Sequence, residues 1–363
     1  MAEKKRVVSI ELLRVLAMVM VVAMHFLRES GCLLSSEQSS FADMTTLLGT
    51  LLESFCIAAV NAYVFISGYF GCKSEFKISR VFLFMGQIWF YALLIPVVLA
   101  GFGNAILGKE MGIYGFVQYV LPIESESYWF ATSYLLLMLL QPLLNVAVKH
   151  LAKKQLEMTL LGLFLILGGV KSICPIALAT DRYGYDLPWF VFLYLLASYL
   201  SVYGMEYIKR HGWKIYIGSS LVIFSMTVGL WYVLRYFPKA AYYSTVPFHY
   251  NFIFCLTAAI GLCGGFLTMK WKEGKGAEMI RKLGKCSFGI YLLHEHPDIR
   301  HIWYPFLRKI VNPEGRHGMG MFLAELVFCI VILFAAGIFI EWIRLFLFGL
   351  IGRWGRRAYA DSK

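Results

Sequence analysis

The sequence predicts an all-α fold: a polytopic integral membrane protein with about ten transmembrane helices in one bundle. Three observations carry that prediction. The 363-residue chain is 59% hydrophobic and only 15% charged, whereas soluble domains are roughly 45–50% apolar and about 25% charged. Its apolar residues gather in long unbroken runs rather than the short alternating segments of a membrane barrel. Its basic residues collect in alternate loops, as expected of helices threaded back and forth through a bilayer.

The apolar segments run over 7–27, 47–70, 81–101, 128–148, 156–174, 187–207, 213–234, 247–269, 284–304 and 320–348. Each is near the length of about 20 residues that a spanning helix needs. The first carries Glu11, Arg14 and His25. Charges inside a membrane cost about 2.5–3.5 kcal/mol each on insertion scales, so they tend to face a polar interior and do a job. The second segment closes in Phe65-Ile66-Ser67-Gly68-Tyr69. There the small pair allows a helix or a ligand close to the backbone, and ordinary helix packing explains it equally well.

The third segment follows Arg80. The fourth opens with Tyr128-Trp129-Phe130, rings suited to the outer interface, and holds Gln141-Pro142, where a kink is expected. The fifth to eighth rest on length and apolarity alone. The ninth is different: its apolar part, Ser287–Leu293, is too short to cross and continues as His294-Glu295-His296-Pro297-Asp298-Ile299-Arg300-His301. Such a run must be buried in protein, line a wet cavity or leave the membrane. The tenth encloses Arg344.

The net charge of +12 does not point to nucleic acid, because of where the charges lie. The N-terminus has Lys4, Lys5 and Arg6. The even loops hold Lys73, Lys77, Arg80; Lys149, Lys153, Lys154; Lys209, Arg210, Lys214; and Lys270, Lys272, Lys275, Arg281, Lys282, Lys285. The tail has Arg353, Arg356, Arg357 and Lys363. These 22 stand against ten in the odd loops, which predicts that both termini are cytoplasmic. The eight cysteines form no CxxC pair and sit in or beside apolar runs, so neither a disulfide framework nor a zinc site is expected. No small-residue cleavage site follows the first helix, which reads as a retained span. Neither an internal repeat nor a P-loop, GxGxxG or HExxH motif is present. The chain, 1–363, reads as one transmembrane domain without a separate soluble one.

Arg14 and His25 are eleven residues apart, close to three helical turns, so they leave one face about 16 Å apart along the axis. The plainer account is an anchor whose Arg snorkels and whose His sits at the headgroups. The three His, two carboxylates and Arg of the ninth segment have acid–base and anion-binding capacity. A metal is the rival there, but His294, Glu295 and His296 lack the i, i+4 spacing of a helical zinc pair, and none is expected. His296, Asp298 and His301 suit an exposed polar loop as well as a site. His294, which ends the apolar run, is the stronger candidate.

Four stretches together resemble the membrane acyltransferase-3 family. Arg14-x10-His25 is similar to its R-x10-H signature. Phe65-Ile66-Ser67-Gly68-Tyr69 resembles F-x-x-S-G-Y, with looser spacing before Ser67. Tyr128-Trp129-Phe130, Leu135-Leu136-Leu137 and Pro142 resemble W-F-x-x-x-L-L…P. Ser287-Phe288-Gly289-Ile290-Tyr291-Leu292-Leu293-His294 resembles S-F-G-I-Y-L-x-H. They occur in the family's order and span nearly the whole chain. The resemblance implies a ten-helix bundle that moves an acyl group, commonly acetyl from acetyl-CoA, onto a hydroxyl of a surface glycan or lipid-linked sugar. Bacterial surface-polysaccharide O-acetyltransferases look most alike, which implies the bacterial cytoplasmic membrane. The family's R-x-x-R pair after the second helix is reduced to Arg80, with Lys73 and Lys77 nearby. The soluble esterase-like or racemase domain that some members carry is not expected.

On this reading acyl-CoA is a donor substrate and no cofactor is held. The other partners are the acceptor sugar and the lipid bilayer, with no nucleic acid. His25, Arg14 and His294 are the catalytic candidates. Glu11, Ser67, Gly68, Tyr69 and Arg80 are candidates for donor binding or structural support. Trp129, Tyr291 and Glu295 form a second tier. Arg14, Ser67 and Arg80 fall toward the cytoplasm, where arginine suits the phosphates of coenzyme A. His25 and His294 fall where a sugar hydroxyl would arrive, and a neutral His is a fitting base at pH 7. Direct attack on the thioester and a relay through acyl-His or acyl-Ser are both open. The rival class is a secondary transporter or flippase using Arg, His and Glu as substrate or proton-relay groups. Its paired, broken half-repeats are not visible. A sensory or scaffold protein would leave the charged first helix without a purpose.

Overall fold

The structure is a computed structural model describing residues 6–34, 43–101, 113–174, 176–179, 181–234, 236–237 and 242–361. Lys4, Lys5, Lys109, Arg235, Lys239 and Lys363 of the charge pattern lie outside these residues. The chain is 79% helical, with no strand among the described residues.

Among the described residues, eight helical stretches are long and apolar enough to cross a membrane. The first is α1 (Val8–Ser30), and the second is a helix pair, α2 (Met44–Cys56) and α3 (Ala58–Gly71), bent at Ile57. Then come α4 (Ile78–Gly101), the short α5 (Ile113–Val120) and α6 (Trp129–His150). The stretch Lys153–Ile173 joins α7 (Lys153–Phe164) to α8 (Val170–Ile173) through a π-helical turn, Leu165–Gly169. After α9 (Leu187–Tyr203), the helices α10 (Glu206–Leu234), α11 (Ile253–Thr268, which closes the apolar helical stretch Tyr242–Thr268), α12 (Lys275–His294), α13 (Trp303–Val311) and α14 (Met319–Asp361) complete the chain. Besides the short α5 and α13, two longer helices fall outside the eight. α9 is apolar but has 17 residues, and α12 opens on Lys275, Glu278, Arg281 and Lys282. The count is thus close to the ten that the sequence predicts. The ninth segment is displaced. The ninth span ends at His294, not near 304, and the polar run beyond it turns back against the bundle before α13.

α1 lies inside the bundle. Its buried residues include Leu13, Ala17, Val22, Phe26 and Leu27, so neighbours rather than lipid cover it on most sides. Gly31 stops it at φ 67, where its N–H reaches the Arg28 and Leu27 carbonyls. By contrast, α4, α6 and α14 leave Phe82, Val97, Leu143, Val327, Phe339 and Trp342 exposed, the apolar outer faces expected of spanning helices. Predicted packing at the Ser67-Gly68 pair is observed: a Cβ on Gly68 would stand 2.5 Å from the Tyr194 carbonyl oxygen of α9. All eight cysteines are free.

Basic loops far apart in sequence meet at one end of the bundle. Arg281 donates to the Arg6 carbonyl at 3.0 Å, Lys73 donates to the Ser201 carbonyl at 2.8 Å, and Lys153 lies over the Tyr203 ring. α1 and α12 both start at this basic end and run side by side. Glu11 packs on Gly284 near the start, and His25 meets His294 near the finish.

Candidate functional site

At the basic end, two contiguous clefts of about 270 and 530 Å³ share Arg14, Phe70 and Ser74. Arg80, Ser67 and Tyr134 line the smaller; Arg6, Lys73 and Tyr69 line the larger. Arg14 is held by Glu11, one turn away on α1, and Arg6 reaches the same carboxylate at 3.4 Å. Glu11 is 1% exposed. A buried carboxylate needs such partners, and it fixes the Arg14 side chain at the cleft wall. The cleft thus gathers Arg6, Arg14, Lys73 and Arg80 from four places in the chain around one space.

Above the cleft is a neck of hydroxyl groups. Tyr63 donates to the Arg14 carbonyl at 2.6 Å, Ser67 donates to the Tyr63 carbonyl at 3.0 Å, and the Ser67 and Tyr134 hydroxyls are 2.8 Å apart. Tyr63 and Ser67 are one turn apart on α3. Tyr134 belongs to the cleft and Tyr63 to the next cavity, so the neck separates them.

That cavity is a slot of about 40 Å³. Met18, Val21, Val60 and Phe288 form apolar walls, and Tyr63, Trp129, Phe130, Tyr250 and Tyr291 form aromatic ones. The remaining wall is His25. Its Nδ1 is 2.8 Å from His294 Nε2 and 3.3 Å from Glu295 Oε1. His294 is fully buried, and its Nδ1 is 2.6 Å from the Ile290 carbonyl oxygen.

The tautomers follow from these partners. A carbonyl oxygen only accepts, so His294 carries its proton on Nδ1. With both rings neutral, His294 Nε2 then holds a lone pair and accepts from His25 Nδ1–H. The lone pair on His25 sits on Nε2, the nitrogen free for the slot. Glu295, beside the same Nδ1, stabilises positive charge that would form on this ring.

His25, His294 and Glu295 place one ligating atom each within 4.8 Å of one another, close enough to hold a metal ion. Two imidazole nitrogens on one zinc stand about 3.3 Å apart for tetrahedral bonds near 2.05 Å. The 2.8 Å separation here is instead that of a hydrogen bond.

The Ser287–His294 motif reads as a helix serving two sides. Phe288 and Tyr291 line the slot, and Phe288 stacks on Phe84. Gly289 faces away: a Cβ there would lie 2.5 Å from the Tyr91 hydroxyl and 2.6 Å from Glu341 Oε2. Glu341 is fully buried, accepts from Gln87 at 2.9 Å and Tyr91 at 3.0 Å, and pairs with Arg344. Ile290 gives the carbonyl that fixes His294. The motif's spacing therefore sets one face against the slot and the other against a polar brace on α4 and α14.

Several candidates lie elsewhere. Gly68 packs on α9, and Lys77 lines none of these cavities. His301 is exposed, 3.5 Å from Glu29. His296 is buried, stacked on Tyr119, whose hydroxyl donates to Asp298 at 2.7 Å. Of the three residues that suited a loop and a site equally, His296 and Asp298 are thus folded in and His301 is exposed. Tyr63 and Tyr134 were not anticipated. Tyr63 stands one turn before Ser67, a helical spacing that could have drawn notice, whereas nothing in the sequence pairs Tyr134 with Ser67.

A family model described as an acyltransferase domain matches residues 7–342. No curated protein and no solved structure matches the chain.

Proposed function

Because the chain belongs to the acyltransferase-3 family, we propose that it is a membrane O-acyltransferase carrying acetyl from cytoplasmic acetyl-CoA to a hydroxyl of an extracytoplasmic or lipid-linked sugar. The observation that carries the proposal is the hydrogen-bonded His25–His294 pair. It leaves a basic nitrogen on the wall of a small slot, with a cation-lined cleft on the other side of the Tyr63–Ser67–Tyr134 neck.

The cleft residues Arg6, Arg14, Lys73 and Arg80 suit the phosphates of coenzyme A. The pantetheine arm runs through the neck past Ser67 and Tyr63 and delivers the thioester to the slot. Arg14 and His25 are about 16 Å apart along α1, a reach suited to that arm. A water occupies about 10–15 Å³ on the same volume measure. The 40 Å³ slot therefore fits a group of acetyl size. The acceptor hydroxyl comes from the end opposite the basic loops. His25 Nε2 takes its proton as the oxygen bonds to the thioester carbonyl carbon. The carbonyl π pair moves to oxygen and then returns to expel the thiolate, which takes the proton from the imidazolium. The residues lining the slot include no serine or cysteine, which favours direct transfer over an acyl-Ser relay. On this reading both termini lie on the cytoplasmic side of a bacterial membrane, an orientation that the distribution of basic residues supports.

The test is label transfer from [¹⁴C]acetyl-CoA into base-labile ester in membranes carrying the wild type or His25→Ala at matched levels. Ester in the wild type and none in the variant is the expected result. Equal ester in both removes His25 from the chemistry, and none in either overturns the reading.

A further inference from the structure

The acyl transfer proposed above produces negative charge on the thioester oxygen in its transition state, and that charge needs a donor. Histidine 25 is occupied as the base, and the walls of the slot offer few other protons. The hydroxyl of Tyr63 is committed to the Arg14 carbonyl, and that of Tyr250 interacts with Tyr185. Tyr291 is 5% exposed and lines the slot; its buried hydroxyl accepts from the Phe130 N–H and has no acceptor for its own proton among the described residues. A buried tyrosine hydroxyl ordinarily finds one, and a native group without one calls for a reason.

The ring of Tyr291 is held in place. Phe130 packs edge-on at 5.8 Å, Phe288 stacks at 5.7 Å and Tyr128 lies at 6.1 Å between ring centroids. It cannot swing to another partner without breaking these contacts. One turn further on α12 stands His294, perpendicular to the Tyr291 ring at 6.3 Å. The helix that orients the base through His294 therefore also presents a fixed, unspent donor to the same slot.

We infer that the Tyr291 hydroxyl is the oxyanion donor of this reaction, an inference that rests on the acyl-transfer reading. As the acceptor oxygen adds to the carbonyl carbon and His25 takes its proton, the π pair moves to the carbonyl oxygen. Tyr291 O–H donates a hydrogen bond to that oxygen and keeps its proton. The pair returns as the carbon–sulfur bond breaks, and the thiolate takes the proton from His25.

The experiment is steady-state ester formation from [¹⁴C]acetyl-CoA in membranes containing wild type or Tyr291→Phe, with protein levels matched. Loss of the hydroxyl alone lowers the maximal rate about 100- to 1,000-fold, while KM for acetyl-CoA stays within about threefold. A second protein carries 3,5-difluorotyrosine at 291, whose phenol ionises at lower pH. It restores the rate at pH 6 and loses it as pH rises, ahead of the wild type. A Tyr291→Phe rate equal to wild type overturns the donor role and leaves the acyltransferase reading standing. A change in KM alone makes Tyr291 a binding residue and overturns it too. Absence of ester from the wild type overturns both.

Discussion

His25 Nδ1 and His294 Nε2 share a 2.8 Å hydrogen bond that joins α1 to α12 at the end remote from the basic loops. The Ile290 carbonyl, 2.6 Å from His294 Nδ1, sets the direction of that bond. A backbone group thereby decides which nitrogen of His25 is basic. Replacing His294 by alanine is expected to lower acyl transfer about 100-fold or more, the scale of general-base contributions. His294→Gln, whose amide oxygen can accept from His25 Nδ1–H, is expected to recover part of it. Initial rates at matched membrane levels decide the matter: equal losses in both variants would show that an acceptor at this position is not what His25 needs.

How this pair was hidden in the sequence is instructive. Helical period alone puts Arg14 and His25 on one face of α1, and the structure has Arg14 in the cleft and His25 in the slot. Period says nothing about which of ten helices lies opposite. That depends on packing such as Glu11 against Gly284, between residues more than 270 positions apart in number. The polar run after His294 was readable as something that lipid would not tolerate. Its folding back, with His296 buried on Tyr119, depends on α5, a segment without a motif. The missing second arginine near Arg80 left Lys73 and Lys77 to supply the charge. Folding keeps Lys73 at the cleft, leaves Lys77 out and adds Arg6, whose position relative to Arg80 no linear motif encodes.

Arg14 and Arg80 line one cleft, but only Arg14 neutralises Glu11. Both Arg80→Ala and Arg14→Ala are expected to raise KM for acetyl-CoA about 10- to 100-fold, because a hydrogen bond to a charged group contributes about 1.5–3 kcal/mol. Arg14→Ala should in addition lower thermal stability in detergent, since it leaves a carboxylate that is 1% exposed with Arg6 alone. Melting curves and KM measured on the same preparations separate the two effects. An Arg80→Ala protein with wild-type KM would take Arg80 out of donor binding.

The slot's apolar wall includes Met18, whose side chain is a flexible filler. Met18→Ala should enlarge the 40 Å³ space and raise the rate ratio for butyryl-CoA over acetyl-CoA by about tenfold or more, since each methylene in a pocket is worth about 1–3 kcal/mol. Competition between the two donors, read as the acyl composition of the product ester, checks this. An unchanged ratio would place the acyl group outside the slot.

Glu341 couples α12 to the rest of the bundle from its far side. Its carboxylate accepts from Gln87 and Tyr91 of α4 and pairs with Arg344, and all of this is packed against Gly289 of α12. Removing one member of a buried charge pair costs about 3–5 kcal/mol, so Glu341→Ala should lower the melting temperature sharply. Gly289→Ala is the more telling change. Its methyl would sit 2.5 Å from the Tyr91 hydroxyl and 2.6 Å from Glu341 Oε2. Neither group can yield without giving up a hydrogen bond, so α12 itself must move. His294 and Tyr291 travel with it, and transfer should fall more than stability does. Activity and melting temperature measured together test the order: a Gly289→Ala protein that melts early yet transfers at the wild-type rate would show that α12 holds His294 in place without this brace.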